Sequence, residues 1–507
     1  MTQHRSPAGR LGTVSHLPFR PAWLLLLAAV VGTGCGADPV PAARIDGPEY
    51  DAGNEEPVYP APEELPEPVP TPRPRVVAGT LLVEGRAEIE GITNDGHLAH
   101  LREPPSEDLA REDWSADLLD VTTGVSQMLA RRQSVNDSMV AINDVVGLWT
   151  AGQSVYGWSS LSVWTPANGL VAAPEPTLSL PKLLAVDSTS TRIAFSYGDF
   201  SAGGITNFAV AAASLAAAPV IVAPRVGRGC PSAMQFAGKS VLVSACEGDE
   251  TIPILRWVDE SNVVTELARN ARSYAADATG AHVLVVDAEG AATVRSAGGS
   301  TPLDVGVRSG ALSPDGTTVV YTNETGQLKR ASLTDLANAS VLAEAGMREI
   351  VSTAPDFSHA VISSREGDAT HQGARDLQLV SLVDGQRKVL VASSTGAVRF
   401  FTRSSTHLFY FDQVPESGVQ GLELHVVALA GGEPRLLDTT LYSVTEPPRS
   451  HLVTWLSAAA GYPYAYRAFD LDASAPATTV IESVTGALTY ANRHYVTVED
   501  QGLYLLD

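Results

Sequence analysis

The sequence predicts an all-β chain folded as a β-propeller of four-stranded blades, eight to ten of them, and three observations carry that prediction. A short unit of strand, tight turn and strand recurs along the chain. Within each copy Val, Ile, Leu, Phe and Tyr alternate with small or polar residues at period two, which argues against helical repeats. The turns follow one another at roughly 35–50 residues, the period of a propeller blade.

The chain begins outside that pattern. Arg5, Arg10 and Arg20 precede an apolar run from Pro21 to Val31, PAWLLLLAAVV, the layout of a secretory signal and too short for a stable membrane span. Gly32-Thr33-Gly34-Cys35-Gly36 follows. This stretch resembles the lipobox of bacterial lipoproteins, with Gly32 where that pattern carries a branched apolar residue. The resemblance implies that residues 1–34 are removed, that the Cys35 thiol is lipidated and, with Gly36 rather than Asp next, that the protein is sent to the outer membrane. Otherwise the signal is an ordinary cleaved one and Cys35 is a free thiol. Residues 35–76 interleave proline with acids and have no aliphatic pattern, so neither helix nor sheet propagates and a disordered tether is expected.

The repeat domain covers residues 77–507. Its first strand, Val77 to Val83, precedes the first full copy, and the last copy stops at Asp507 after its third strand. The two should pair and close the ring, since an open ring would expose two sheet edges. The clearest unit starts at Leu312, LSPDGTTVVYTNETGQLKRASL, where Pro-Asp-Gly fixes one φ and then admits a positive one. Eroded copies place their turns near residues 95, 147, 190, 238, 280, 356, 405, 449 and 492. Ser313-Pro314-Asp315-Gly316 resembles the WD-repeat-like propeller unit of the periplasmic protein TolB and of the propellers that precede prolyl-oligopeptidase hydrolases. That resemblance implies fold far more than function.

Lys plus Arg is 34 against 57 Asp plus Glu, a formal charge of -23, which argues against nucleic acid as a partner. Losing residues 1–34 takes away three arginines and no acid, so the mature charge is -26. No later window holds about 18 unbroken apolar residues, so the only membrane contact expected is the N-terminal lipid.

Cys230 and Cys246 fall in one copy. If its first hairpin reverses near Gly238, they face each other across the ladder and form a disulfide, which export makes chemically reasonable. Closing a loop of about 15 residues would contribute on the order of 3 kcal/mol. Two cysteines without a nearby third or fourth ligand are not a metal site, and no metal is assigned. Acids gather where second strands end, at Glu247, Asp249, Glu250, Asp287, Glu289, Glu366, Asp368, Glu499 and Asp500, and also at Glu324, Asp412 and Glu416. One propeller face should therefore be negative. It is a solvated surface, or it binds a cationic partner, or it holds Ca²⁺ through oxygen ligands. His97, His282, His359, His407, His451 and His494 recur one or two residues after the turn and just before the second strand, one per blade, so they cannot share one metal ion. Trp149, Trp158, Trp164 and Trp455 sit in strand-like sequence and are read as blade packing before a sugar platform.

No nucleophile elbow, His-Glu-x-x-His or phosphate loop is present. The sequence thus reads as a cell-envelope lipoprotein, periplasmic or surface-exposed, whose propeller binds a protein or envelope polymer without catalysis and without a cofactor. The alternative is a propeller lyase or hydrolase of a sugar or lactone with its site at the central channel. A sensory or structural domain without a diffusible ligand is the third.

Overall fold

The computed structural model describes residues 79–102, 115–131, 138–151, 158–172, 178–179, 182–199, 205–226, 232–247, 251–364, 375–394, 399–413, 422–458, 463–472, 478–498 and 501–506. They form ten antiparallel sheets and no helix. In chain order the blades span residues 87–131, 138–179, 182–226, 233–269, 273–304, 307–343, 347–394, 399–438, 441–484 and 486–506. Ten is the upper end of the range the repeats allow. The first nine run in simple meander order, strands A, B, C and D, and in blade 2 the D position is shared by Gly169–Ala172 and Leu178–Ser179.

Blade 10 has only three strands of its own, and its fourth comes from the other end of the domain. Thr80–Glu84 pairs antiparallel with Gly502–Leu506 (Thr80↔Leu505, Leu81↔Tyr504), as the unpaired strand before the first repeat required. Buried Val83, Leu98, Leu119, Tyr490, Tyr495 and Leu503 then form one cluster across the seam between blades 10 and 1.

The core lies between blades rather than within them. The A strands of neighbouring blades meet, as Ala87–Ile92 does with Ser138–Ile142 and Gly486–Tyr490, which puts them on the inside of the ring. B strands are sealed on both faces; Ser240–Ala245 and Thr318–Asn323 are almost wholly buried. Their Val- and Leu-rich runs suit this environment, since each buried Val or Leu contributes about 1.5–3 kcal/mol. D strands such as Ser126–Arg131 and Val264–Arg269 are mostly exposed.

Each A–B turn contains a residue with positive φ: Gly96, Asn143, Ser190, Gly238, Gly280, Gly316, Phe357, Ser405, Arg449 and Asn492. One correction concerns blade 2. The turn lies at Asn143-Asp144, and Gly147, near which the turn was expected, is inside strand Val145–Ala151. A Cβ there would sit 3.0 Å from the Leu183 side chain, so this glycine permits close blade packing and makes no turn.

Candidate functional site

The two ends of the ring are built differently. At one end the A–B turns are short and cap themselves. The hydroxyl or carboxylate that opens the turn accepts the amide of the first residue of strand B, as in Thr93 from His97 at 2.8 Å, Asp187 from Arg192 at 2.8 Å, Asp277 from His282 at 2.9 Å, Ser313 from Thr318 at 2.9 Å and Thr402 from His407 at 3.1 Å. The Ser of the Ser-Pro-Asp-Gly unit is therefore a capping group.

Successive turns also bond to one another. Asn94 N–H donates to the Asn143 carbonyl at 2.9 Å, Asp144 N–H to Ser190 Oγ at 3.2 Å, and the Arg192 guanidinium to the Lys239 carbonyl. A Cβ on Gly238 would meet the Thr279 carbonyl at 2.5 Å, and Ala278 N–H donates to Pro314 at 3.2 Å. Further round, Asp356 N–H donates to Ser405 Oγ at 3.1 Å and Arg403 N–H to Glu446 Oε2 at 2.9 Å. Ser450 donates to Asn492 Oδ1 at 2.8 Å, and the Tyr490 hydroxyl returns to the Asn94 carbonyl at 3.2 Å. Burial, and then the neighbouring Asp95, push the Asp144 carboxyl up within this rim.

At the other end the B–C connections are unequal. Gly290 and its neighbours close blade 5 in a tight turn, whereas blades 1, 7 and 8 use residues 103–114, 365–374 and 414–421. Of the acids expected here, Glu247 is exposed and paired with Arg256 at 2.8 Å. Asp287 accepts the Ala291 amide at 2.7 Å and so caps its own turn, Glu289 is exposed, and Glu324 meets Arg272 at 3.5 Å. Asp249, Glu250, Glu366, Asp368, Glu416, Glu499 and Asp500 lie outside the described residues, as does the side chain of Asp412.

The inner strands bear on a site in the channel. Glu88 and Glu90 belong to blade 1 and Glu349 to blade 7, so among the described residues no two neighbouring blades offer inner-strand carboxylates together. Register shifts leave Arg308 and Arg348 unmatched in the A strands of blades 6 and 7, the mark of β-bulges.

The blade 4 hairpin reverses slightly later than expected. Its ladder pairs Ala237↔Ser240 and Ala233↔Ser244 around a Gly238-Lys239 turn, so the centre falls between those two residues and not on Gly238. Cys246 is wholly buried and its sulfur has a partner. Cys35 and Cys230 lie outside the described residues, as does the stretch 35–76 expected to form a tether. Trp164 and Trp455 are buried in blade packing, Trp164 against His97 with centroids 4.7 Å apart; the side chains of Trp149 and Trp158 lie outside the described residues.

Of the six repeated histidines, five fall in the first two residues of strand B rather than before it, and only His451 precedes its strand. Five bind their own blade through Nδ1: His97 to Asp95 and His282 to Asp277 at 2.8 Å, His359 to Ser358 at 2.9 Å, His407 to Thr406 at 3.0 Å and His494 to Thr489 at 2.8 Å. Burial lowers the pKa of His359, His407 and His494. His451 differs, with Nε2 directed at Asp470 Oδ2, 3.6 Å away.

No known family profile matches the chain, and no curated protein does. Among solved structures it is similar to the Cps50 (Swd1) β-propeller domain of Myceliophteria thermophila, at 11% identity over 55% of this chain and 97% of that one, TM-score 0.32. It is also similar to oligogalacturonate lyase of Vibrio parahaemolyticus, at 10% over 64% and 96%, TM-score 0.34. Hydrazine synthase of Kuenenia stuttgartiensis is a third, at 15% over 54% and 94%, TM-score 0.33.

Proposed function

We propose that this is an exported lipoprotein, anchored through Cys35, whose propeller binds a protein or polymer of the cell envelope through its B–C connections and acts by binding rather than catalysis. The observation that carries the reading is the difference between the two ends of the ring. The A–B end spends its polar groups on itself, turn to turn, while the B–C end carries unequal connections and acids, and binding surfaces concentrate on such connections when a rigid scaffold holds them. The scattering of inner-strand carboxylates over blades 1 and 7 supports binding over channel chemistry. Capture from solubilised envelopes tests it. The native chain should retain a specific cationic partner, and a variant with Asp249→Lys, Glu250→Lys and Glu289→Lys should lose it at least about tenfold, as expected when several steering charges are reversed. Recovery of nothing specific, or equal recovery by both, overturns the proposal.

Export also frames the cysteines. We propose a Cys230–Cys246 disulfide, supported by the complete burial and engaged sulfur of Cys246 at the end of Ser240–Ala245. A non-reducing peptide map should show the two peptides joined; two separate alkylated thiols would refute it.

A further inference from the structure

We infer that His451, Asp470 and Asp472 form a site for a divalent transition ion such as Zn²⁺ at the A–B end of blade 9. The three side chains each offer a ligand atom, and those atoms lie within 4.8 Å of one another. They come from the residue just before strand B, the end of strand C and the turn that follows, so the two antiparallel strands hold them together without any long loop.

The comparison with the other repeats points to a ligand. In five blades the histidine at this place uses Nδ1 to tie down its own turn. In blade 9 other groups tie the turn. Ser450 Oγ and the His451 amide both donate to Asn492 Oδ1 of blade 10, at 2.8 and 3.3 Å. The imidazole is thereby released from the turn, and its Nε2 faces Asp470 Oδ2 at 3.6 Å. That distance is too long for a hydrogen bond. It matches the separation of about 3.4 Å between two donors of a tetrahedral ion with bonds near 2.1 Å.

Asp470 is also oriented, since its Oδ1 accepts the Asp472 amide at 2.9 Å while its Oδ2 faces the imidazole. One imidazole and two carboxylates, with a position open to water, suit Zn²⁺ or Co²⁺; Ca²⁺ requires six to eight oxygens and gains nothing from the ring nitrogen. Such an ion would brace blade 9 where it joins blade 10, at the opposite end of the ring from the acids considered for calcium. The site stands apart from the binding function proposed above, and neither depends on the other.

Titration of the chelator-treated full chain with Zn²⁺, followed by calorimetry and by a rise in unfolding temperature, tests the site. A Co²⁺ titration read by its visible absorption reports nitrogen ligation independently. The native chain should bind one more equivalent than His451→Gln, whose affinity at that position should fall by at least about tenfold. Asp472→Asn should weaken it similarly, and His359→Gln should leave it unchanged. Metal-free unfolding midpoints of the variants that match the native value show that they fold. Equal Zn²⁺ stoichiometry and affinity in the native chain and His451→Gln, or a Ca²⁺ response equal to that of Zn²⁺, would overturn the assignment.

Discussion

A chain beginning at Arg86 should be less stable than one beginning at Val77 by roughly 3–6 kcal/mol, the sum of lost apolar burial and ladder hydrogen bonds. Residues 80–84 supply the fourth strand of blade 10, and Val83 is buried in the cluster that joins that blade to blade 1. Without them the edge of Gly502–Leu506 is open to another chain, so aggregation should rise as well. A single substitution reaches the same contact. Gly502 has φ +134, and a Cβ built on it would fall on the Val83 carbonyl oxygen and 3.0 Å from Leu81 Cδ1. Gly502→Val should therefore force the closing strand away and reproduce much of the truncation's effect in urea unfolding. Unchanged midpoints in both variants would show that this strand does not hold the ring shut.

The second large effect is expected at Asp438, which ends strand D of blade 8 and is 4% exposed. Its carboxylate accepts the Trp455 indole N–H at 2.7 Å, the Ser457 hydroxyl at 3.1 Å and the Thr440 amide at 2.8 Å, with Arg467 at 3.4 Å. Asp438→Ala leaves these donors buried without an acceptor, at a cost of about 3–5 kcal/mol. Burial by itself raises this pKa, but the bonds from Thr440, Trp455 and Ser457 and the charge of Arg467 outweigh it and hold the carboxyl below its ordinary value. A depressed folded pKa means stability that is present above the unfolded value, about 3.9, and lost as pH falls through the folded one.

Buried histidines add an earlier loss. Burial lowers His100, with Asp117 across the ladder opposing, and also lowers His359, His407 and His494. Each is kept neutral by the fold, so its contribution is complete above about pH 6.5 and declines as pH falls below it. Burial raises Asp144 and Glu446, whose contributions run the other way and are lost as pH rises from their ordinary carboxyl range. The unfolding free energy should thus fall between pH 7 and 5 and again below pH 4, where Asp277 and Asp304 are also held low, and Asp438→Asn should reduce only the lower step. A flat profile from pH 7 to 3 would contradict both assignments.

Much of the architecture was legible because each blade repeats one local instruction. The Pro-Asp-Gly turn at 314–316, and eroded copies such as Asp95-Gly96 and Asn492, mark where a residue must adopt positive φ, and the β-branched runs after them mark the sealed B strands. Gly147 misled because a glycine that admits a neighbouring blade looks, in sequence, like one that reverses the chain. The expected centre of the blade 4 hairpin fell half a residue early because a two-residue turn has its centre between residues.

Contacts between blades were not legible. Asp438 and Trp455, or Ser450 and Asn492, belong to different copies of the repeat, and no local pattern says that they meet. The histidine column was visible, yet what separates His451 from the other five is the residue it meets across the blade and the neighbour that relieves it of turn capping. A clue lay in Asp470 and Asp472, two acids flanking one residue at a strand end.

Everything rests on ten sheets arranged radially and shut by residues 80–84. Electron-microscopic averages of the chain from residue 77 onward, viewed down its axis, count the blades and inspect the seam at once. They should show ten spokes in an unbroken circle; eight or nine spokes, or a gap between the first and the last, would contradict the account.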